Sequence, residues 1–198
     1  VAGQLDPVRS EKAGLRREIL AARDALTAAA RKTASEKITQ QIVALDAWKN
    51  ARVVLAYLSF GSEFITDGLI ADAAACGKQL ALPRVDRAMR ALVVHEVIDI
   101  FNDVQAGVWG IREPRPDRPT IALDSIDFVL VPGVAFSPAC ARLGYGGGFY
   151  DRLIADFGQR PPLVAAAYAL QLRDSLPLTG EDQAVDLVIT ESAAYCGC

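Results

Sequence analysis

Four glycines crowd into five consecutive positions, Gly144, Gly146, Gly147 and Gly148, between Arg142 and Arg152, with Asp151 beside the second arginine. A segment poor in Cβ atoms can take positive φ and lets a ligand approach the main chain closely. A helix is predicted to begin where the glycines end. Such a loop aims N–H groups and the positive end of the helix dipole at one place, which suits an anion and above all a phosphate. Arg142 and Arg152 could each pair with phosphate oxygens through a bidentate fork. Asp151 would repel a phosphate directly. It makes sense beside Mg²⁺, which is commonly held by one or two carboxylates together with phosphate oxygens. The loop is not a P-loop, because no Gly-x-x-x-x-Gly-Lys-Ser/Thr occurs. It is not a dinucleotide fingerprint either, because Phe149 stands where the third glycine belongs. A ligand-free glycine hinge is the competing reading.

Other residues with chemical potential are fewer. Lys12 and Arg16 share one helical face at i, i+4 spacing; standing alone, they would read as a solvated basic face. Cys76, Cys140, Cys196 and Cys198 match neither a zinc spacing nor a disulfide framework. Cys196-Gly-Cys198 could bind a soft metal, but the Ala/Gly-rich end 193–198 is expected to be a flexible tail, as is 1–10. His95 is the only histidine, so no histidine pair can hold a metal.

The whole chain sets the frame. Its 198 residues suit a single domain, spanning 1–198, with a substantial core; 52% are hydrophobic and 23% charged. A net charge of −3 argues against nucleic acid as a partner. Val1 to Ser10 has no apolar core of a signal peptide, and no apolar run reaches the roughly 20 residues of a membrane helix. A cytoplasmic, monomeric protein without a membrane partner is the expectation.

The elements that must position the loop follow from apolar periodicity. Helices are predicted over Glu11–Ala30, over Ser35–Trp48 with Ser35 as N-cap, from Thr66 to about Cys76, and over Phe149–Phe157. Strands are predicted at Arg52–Leu58, Gln79–Pro83, Leu92–Val97, Asp127–Pro132, Leu163–Ala169 and Leu187–Thr190. Arg112 to Pro119, dense in proline and charge, reads as a surface loop. Strands that are apolar on both faces and alternate with helices imply an α/β fold, a three-layer α/β/α sandwich with a mostly parallel central sheet.

Val131-Pro-Gly-Val-Ala-Phe136 followed by Arg142-Leu-Gly-Tyr-Gly-Gly-Gly-Phe-Tyr-Asp-Arg152 closely resembles the signature of the 5-formyltetrahydrofolate cyclo-ligase family. Lys12-Ala-Gly-Leu-Arg16, Tyr57-Leu-Ser-Phe-Gly-Ser-Glu63, Leu82-Pro-Arg84, Trp109-Gly-Ile-Arg-Glu-Pro114 and Val185-Asp-Leu-Val-Ile-Thr-Glu191 fall in the family's order, so the resemblance covers roughly 12–191. It implies a ligase that uses ATP and Mg²⁺ to close 5-formyltetrahydrofolate to 5,10-methenyltetrahydrofolate. Carried over by position, Lys12 and Arg16 would contact ATP phosphates. Arg142, Leu143, Gly144, Tyr145, Gly146, Gly147, Gly148, Phe149 and Tyr150 would wrap the triphosphate, with Arg142 and Lys12 as catalytic cations. Asp151 and Asp186 would hold Mg²⁺. Leu58 and Glu63 would contact the folate, and Met89, Trp109 and Tyr150 are candidate walls for its ring. Ser137 and Cys140 stand where the family usually has Asp and Gly, and Phe149 where it often has Tyr. A family member that binds nucleotide or folate without catalysis is the alternative.

Overall fold

The structure, a computed structural model, describes residues 7–197, with the side chain of Trp109 outside that description. The chain runs α1 (Pro7–Asp24), α2 (Ala28–Ala44), α3 (Asp46–Asn50), β1 (Val53–Leu55), α4 (Asp67–Ala75), β2 (Gln79–Asp86), β3 (Ala91–Glu96), β4 (Val104–Ala106), β5 (Arg112–Pro114), β6 (Phe128–Leu130), β7 (Ala135–Phe136), β8 (Arg142–Leu143), α5 (Phe149–Ala155), β9 (Leu163–Ala166), β10 (Leu187–Ile189) and β11 (Ala194–Cys196).

Seven strands form the central sheet in the order β11-β10-β9-β6-β1-β2-β3. The inner five are parallel, with β3 and β11 antiparallel at the edges. One face packs against α2, α3 and α4 through Ile38, Ile42, Trp48, Leu69 and Ala73. The other packs against α5 through Leu153, Ile154 and Phe157. Both faces are thereby covered, which is why β1, β6 and β9 read as unbroken apolar runs. The three-layer α/β/α sandwich predicted from the sequence is the observed architecture. From β1 the chain moves outward to β2, whereas from β6 it moves the other way to β9. The crevice beyond the carboxyl ends of β1 and β6 is therefore the switch point where such sheets bind ligands.

The ends of several elements differ from expectation. The first predicted helix breaks after Asp24, because Thr27 caps α2: its Oγ1 accepts the Ala30 N–H at 3.1 Å. The alanine-rich run across the break concealed it. Ser35 is no cap; it lies buried inside α2, where its hydroxyl meets Tyr168 Oη at 3.1 Å and accepts the Ile65 N–H at 3.1 Å. The segment expected to be a tail forms β11 on the sheet edge, through Leu187 opposite Cys196. At the other end, α1 begins at Pro7, within the segment expected to be flexible. Cys198, half of the Cys-Gly-Cys pair, lies outside the described residues. Arg112–Pro114 is a strand with Glu113 and Pro114 buried, not surface loop.

α1 does not lie on the large sheet. Its Ile19 packs on the β7–β8 hairpin with Val134, Ala135 and Leu143 in a small core of their own. Lys12, Ile19 and Arg23 are its buried residues. With Arg16 they follow i, i+4, i+7 and i+11, a single helical stripe. Packing the apolar Ile19 against the hairpin thus turns Arg16 and Arg23 to the loop that follows β8, while Lys12 on the same stripe pairs with Asp182.

Candidate active site

The glycine loop lies between β8 and α5, at the switch point. Gly146 (φ 102°) and Gly148 (φ 65°) hold left-handed conformations that favour glycine. Two carbonyls of the loop are turned to arginines: Arg16 Nε donates to Gly144 O at 2.8 Å and Arg152 Nη2 to Gly147 O at 3.0 Å. The N–H groups of Tyr145, Gly146, Gly147 and Gly148 have no protein acceptor among the described residues. A row of donors with its carbonyls tied back is the electrostatic pattern of an anion cradle. α5 has only seven residues, so the N–H groups and side-chain cations carry this site more than a helix dipole does.

The cations are placed unequally. Arg16 stands at the loop: a Cβ built on Gly146 would come within 3.3 Å of its Cζ. Lys12, 8% exposed, is paired with Asp182 at 2.5 Å. Arg142, expected to wrap the triphosphate, is 2% exposed and committed to protein groups. It donates to Pro132 O at 3.2 Å, Gln183 O at 3.4 Å and Asp151 Oδ1 at 2.5 Å. Its guanidinium lines the cavity but acts on the loop from behind. Arg152 is exposed, stacked 5.2 Å over the Phe149 ring.

Asp151 Oδ1 also accepts the Gln183 N–H at 3.0 Å, while its Oδ2 has no hydrogen bond among the described residues. That leaves one carboxylate oxygen for a hard cation. Among the described residues no three His, Cys, Asp or Glu side chains cluster as a metal cage. An ion here would depend on Asp151 and on phosphate oxygens, which is how Mg²⁺ is commonly bound. Asp186 does not join Asp151. It sits at the start of β10, where Oδ2 accepts the Leu163 N–H at 2.7 Å and Oδ1 pairs with Arg160 at 3.2 Å. That is the amino-terminal edge of the parallel strands, opposite the loop, and its carboxylate ties β9 to β10.

Beside the loop opens a cavity of about 490 Å³. Tyr57 and Leu58 from the end of β1, Leu82, Pro83 and Val85 from β2, Ile111, and Tyr150 make it mostly apolar. A volume of that size suits a small organic molecule. Glu63, 5% exposed, supplies a carboxylate to its wall. Oε1 accepts the Tyr145 hydroxyl at 2.5 Å and Oε2 the Phe60 N–H at 3.1 Å. Desolvation raises the Glu63 carboxyl above its usual range, against the opposing pull of those two hydrogen bonds and of Arg23. Tyr150 Oη is buried without a hydrogen-bond partner among the described residues, a polar handle open to a ligand. Burial also raises the Tyr145 and Tyr150 phenols.

Met89 lies outside this wall, 75% exposed at the tip between β2 and β3. Trp109 falls in the 3₁₀ turn Val108–Gly110, and its side chain lies outside the described residues. Sequence reasoning missed Arg23, Tyr57, Glu113 and Asp182. The stripe of α1 could have signalled Arg23, and Tyr57 sits inside the segment already noted. Glu113 is 4% exposed on the cavity wall, and burial raises its carboxyl. The departures from the family's pattern are accommodated locally. Ser137 Oγ accepts the Ala141 N–H at 3.2 Å, and Cys140 holds φ 60° without a glycine's freedom.

A doubly wound α/β domain with an anion cradle and a deep apolar cavity at its switch point belongs to the small-molecule enzymes. Residues 8–191 match the 5-formyltetrahydrofolate cyclo-ligase family, and the chain belongs to that family of enzymes. It is 30% identical to the *Escherichia coli* K12 5-formyltetrahydrofolate cyclo-ligase over 73% of this chain and 81% of that one. It is 28% identical to a probable 5-formyltetrahydrofolate cyclo-ligase of *Caenorhabditis elegans* over 79% and 81%. The solved *Aquifex aeolicus* 5,10-methenyltetrahydrofolate synthetase superposes with a TM-score of 0.82 at 30% identity, covering 93% of this chain and 92% of that one.

Proposed function

We propose that the protein converts 5-formyltetrahydrofolate to 5,10-methenyltetrahydrofolate at the expense of ATP, releasing ADP and phosphate. The observation that carries this reading is the adjacency of two unlike subsites: loop N–H groups without a protein acceptor among the described residues, beside Arg16, and an apolar cavity holding the buried carboxylate of Glu63. A nucleotide suits the first and a flat heterocycle with N–H donors the second.

The chemistry then needs positioning more than a protein nucleophile. The N5-formyl oxygen attacks the γ-phosphorus and ADP leaves. N10 attacks the same carbon and loses its proton, and phosphate departs with the former formyl oxygen. Lys12, Arg16 and the N–H groups of 145–148 hold the phosphates where negative charge moves. Lys12 must exchange Asp182 for phosphate to do so. Arg142 fixes Asp151 through Oδ1, so Oδ2 would be the oxygen that holds Mg²⁺; the ion would supply neutralisation of phosphate charge. Glu63 accepts N–H groups of the pterin, and Leu58, Tyr57 and Tyr150 wall the ring from water. Asp151 is the one carboxylate we assign to the ion; Asp186 keeps its place as a strand tie.

The test is the absorbance of the methenyl product from 5-formyltetrahydrofolate, with ATP and Mg²⁺ and with each omitted. Product only in the complete mixture is expected. Product formed equally without ATP, or none with it, overturns the reading. We propose a monomeric cytoplasmic enzyme. Among the described residues no helix is long and apolar enough to cross a membrane, and one *Arabidopsis thaliana* relative is named as mitochondrial, so fractionation decides the compartment.

A further inference from the structure

Tyr145 is the one residue of 144–148 with a side chain, and that side chain is bonded outside the loop. Its hydroxyl donates to Glu63 Oε1 at 2.5 Å and accepts from Arg23 Nη2 at 2.9 Å. An arginine can only donate, so the phenol proton is committed to Glu63. The ring lies 5.7 Å from Phe60 and 5.8 Å from the Arg23 guanidinium.

Both partners are held rigidly. Glu63 O accepts the Tyr168 hydroxyl at 3.0 Å, and Oε2 takes the Phe60 N–H. Arg23 Nε donates to Ser62 Oγ at 3.0 Å, and that hydroxyl donates in turn to Asp24. The loop is the member whose backbone glycine leaves free to change shape. Gly144 and Gly146 flank Tyr145, and Gly146 has the φ of 102° that glycine allows. A change of loop shape at Tyr145 displaces the phenol from Glu63, and displacement of the phenol releases the loop from the cavity wall.

We propose that Tyr145 is a positioning residue that latches the glycine loop to Glu63, so that a nucleotide on the loop and a folate against Glu63 each strengthen the other's binding. The proposal rests on the function proposed above. A ligand that orders the loop also fixes the phenol and with it the orientation of the Glu63 carboxylate. The ordering cost is then met once for two ligands, and the coupling is reciprocal.

Calorimetric titration of 5-formyltetrahydrofolate, alone and with a saturating non-hydrolysable Mg–ATP analogue, reads this coupling. The parent protein is expected to bind folate at least about fivefold more tightly with the nucleotide present. Tyr145→Phe removes the hydroxyl and keeps the ring; the residue is 40% exposed, and retention of the fold is checked by the unfolding transition. In that variant the ratio is expected to fall to within about twofold of unity, in both directions of titration. A merely structural role would weaken either ligand while leaving the ratio as in the parent. An unchanged ratio in Tyr145→Phe, or no coupling in a parent that binds both ligands, overturns the latch alone. Failure of either ligand to bind the parent overturns the functional reading and the latch together.

Discussion

Gly146→Ala separates the loop's shape from the stability of the domain. Gly146 has φ 102°, a conformation that an alanine reaches only under strain. Its Cβ would also press on the Arg16 guanidinium, with Cζ at 3.3 Å and the two Nη atoms at 3.5 Å. Those atoms end a flexible side chain and can yield by a few tenths of an ångström, so the backbone term dominates. Holding a non-glycine residue there costs about 1–3 kcal/mol. The loop is exposed, so this strain has two outlets. If the loop keeps its shape, the domain loses that much stability; if the loop relaxes, the ligand must restore it and affinity falls. Taken wholly in binding, the strain weakens the nucleotide by a factor of about 5 to 150. The two losses should sum to about 1–3 kcal/mol however they divide. Chemical denaturation of the free protein and calorimetry with the Mg–ATP analogue read the two outlets on the same preparation. Gly180→Ala is the control, because its Cβ meets nothing within 4 Å and its φ is not in the left-handed region. A Gly146→Ala protein that matches the parent in both stability and nucleotide affinity would refute the reasoning.

Asp151→Asn keeps an oxygen for Arg142 and for the Gln183 N–H but removes the counter-charge of the buried Arg142, so it should fold with reduced stability while Mg²⁺-dependent turnover disappears; equal turnover would remove Asp151 from the ion. Lys12→Met should cost about 1.5–3 kcal/mol in denaturation, since a largely buried charged hydrogen bond is lost. It should also raise the nucleotide KM about tenfold or more with little change in that for folate. An unchanged nucleotide KM would count against it. Asp182 stays partnered in that variant through the Thr179 N–H and hydroxyl. Glu63 makes a pH prediction. Its folded pKa lies above its ordinary value of 4.5, so the folded protein holds an extra proton between the two. That part of the stability grows as pH falls through the raised pKa, and it is gone above it. The difference in stability between parent and Glu63→Gln should therefore shift in the parent's favour on acidification from neutral pH; a pH-independent difference would contradict the assignment.

Much of this arrangement was legible in the residues. Apolar runs at Val53–Leu55, Phe128–Leu130 and Leu163–Ala166 announced a covered parallel sheet because both faces are buried. The glycine cluster announced an anion loop because φ values such as those of Gly146 and Gly148 need it. Tertiary partners were not legible. Spacing along a strand does not say which end of the sheet a residue caps, so Asp186, which the resemblance puts with Asp151 at Mg²⁺, is found tying β9 to β10 instead. Arg142 looked like a free phosphate ligand because nothing local reveals that Pro132, Gln183 and Asp151 converge on it. The Tyr145 bond to Glu63 spans 82 positions of sequence and the one to Arg23 spans 122, beyond any local pattern. Ser35 fits a helix cap by type, but burial against Tyr168 gave its hydroxyl another use.

The most direct measurement follows the formyl oxygen itself. With ¹⁸O in the N5-formyl group, activation by phosphoryl transfer at this site predicts that the label leaves in inorganic phosphate, one atom for each methenyltetrahydrofolate formed. Label recovered in water, with none in phosphate, would contradict the account.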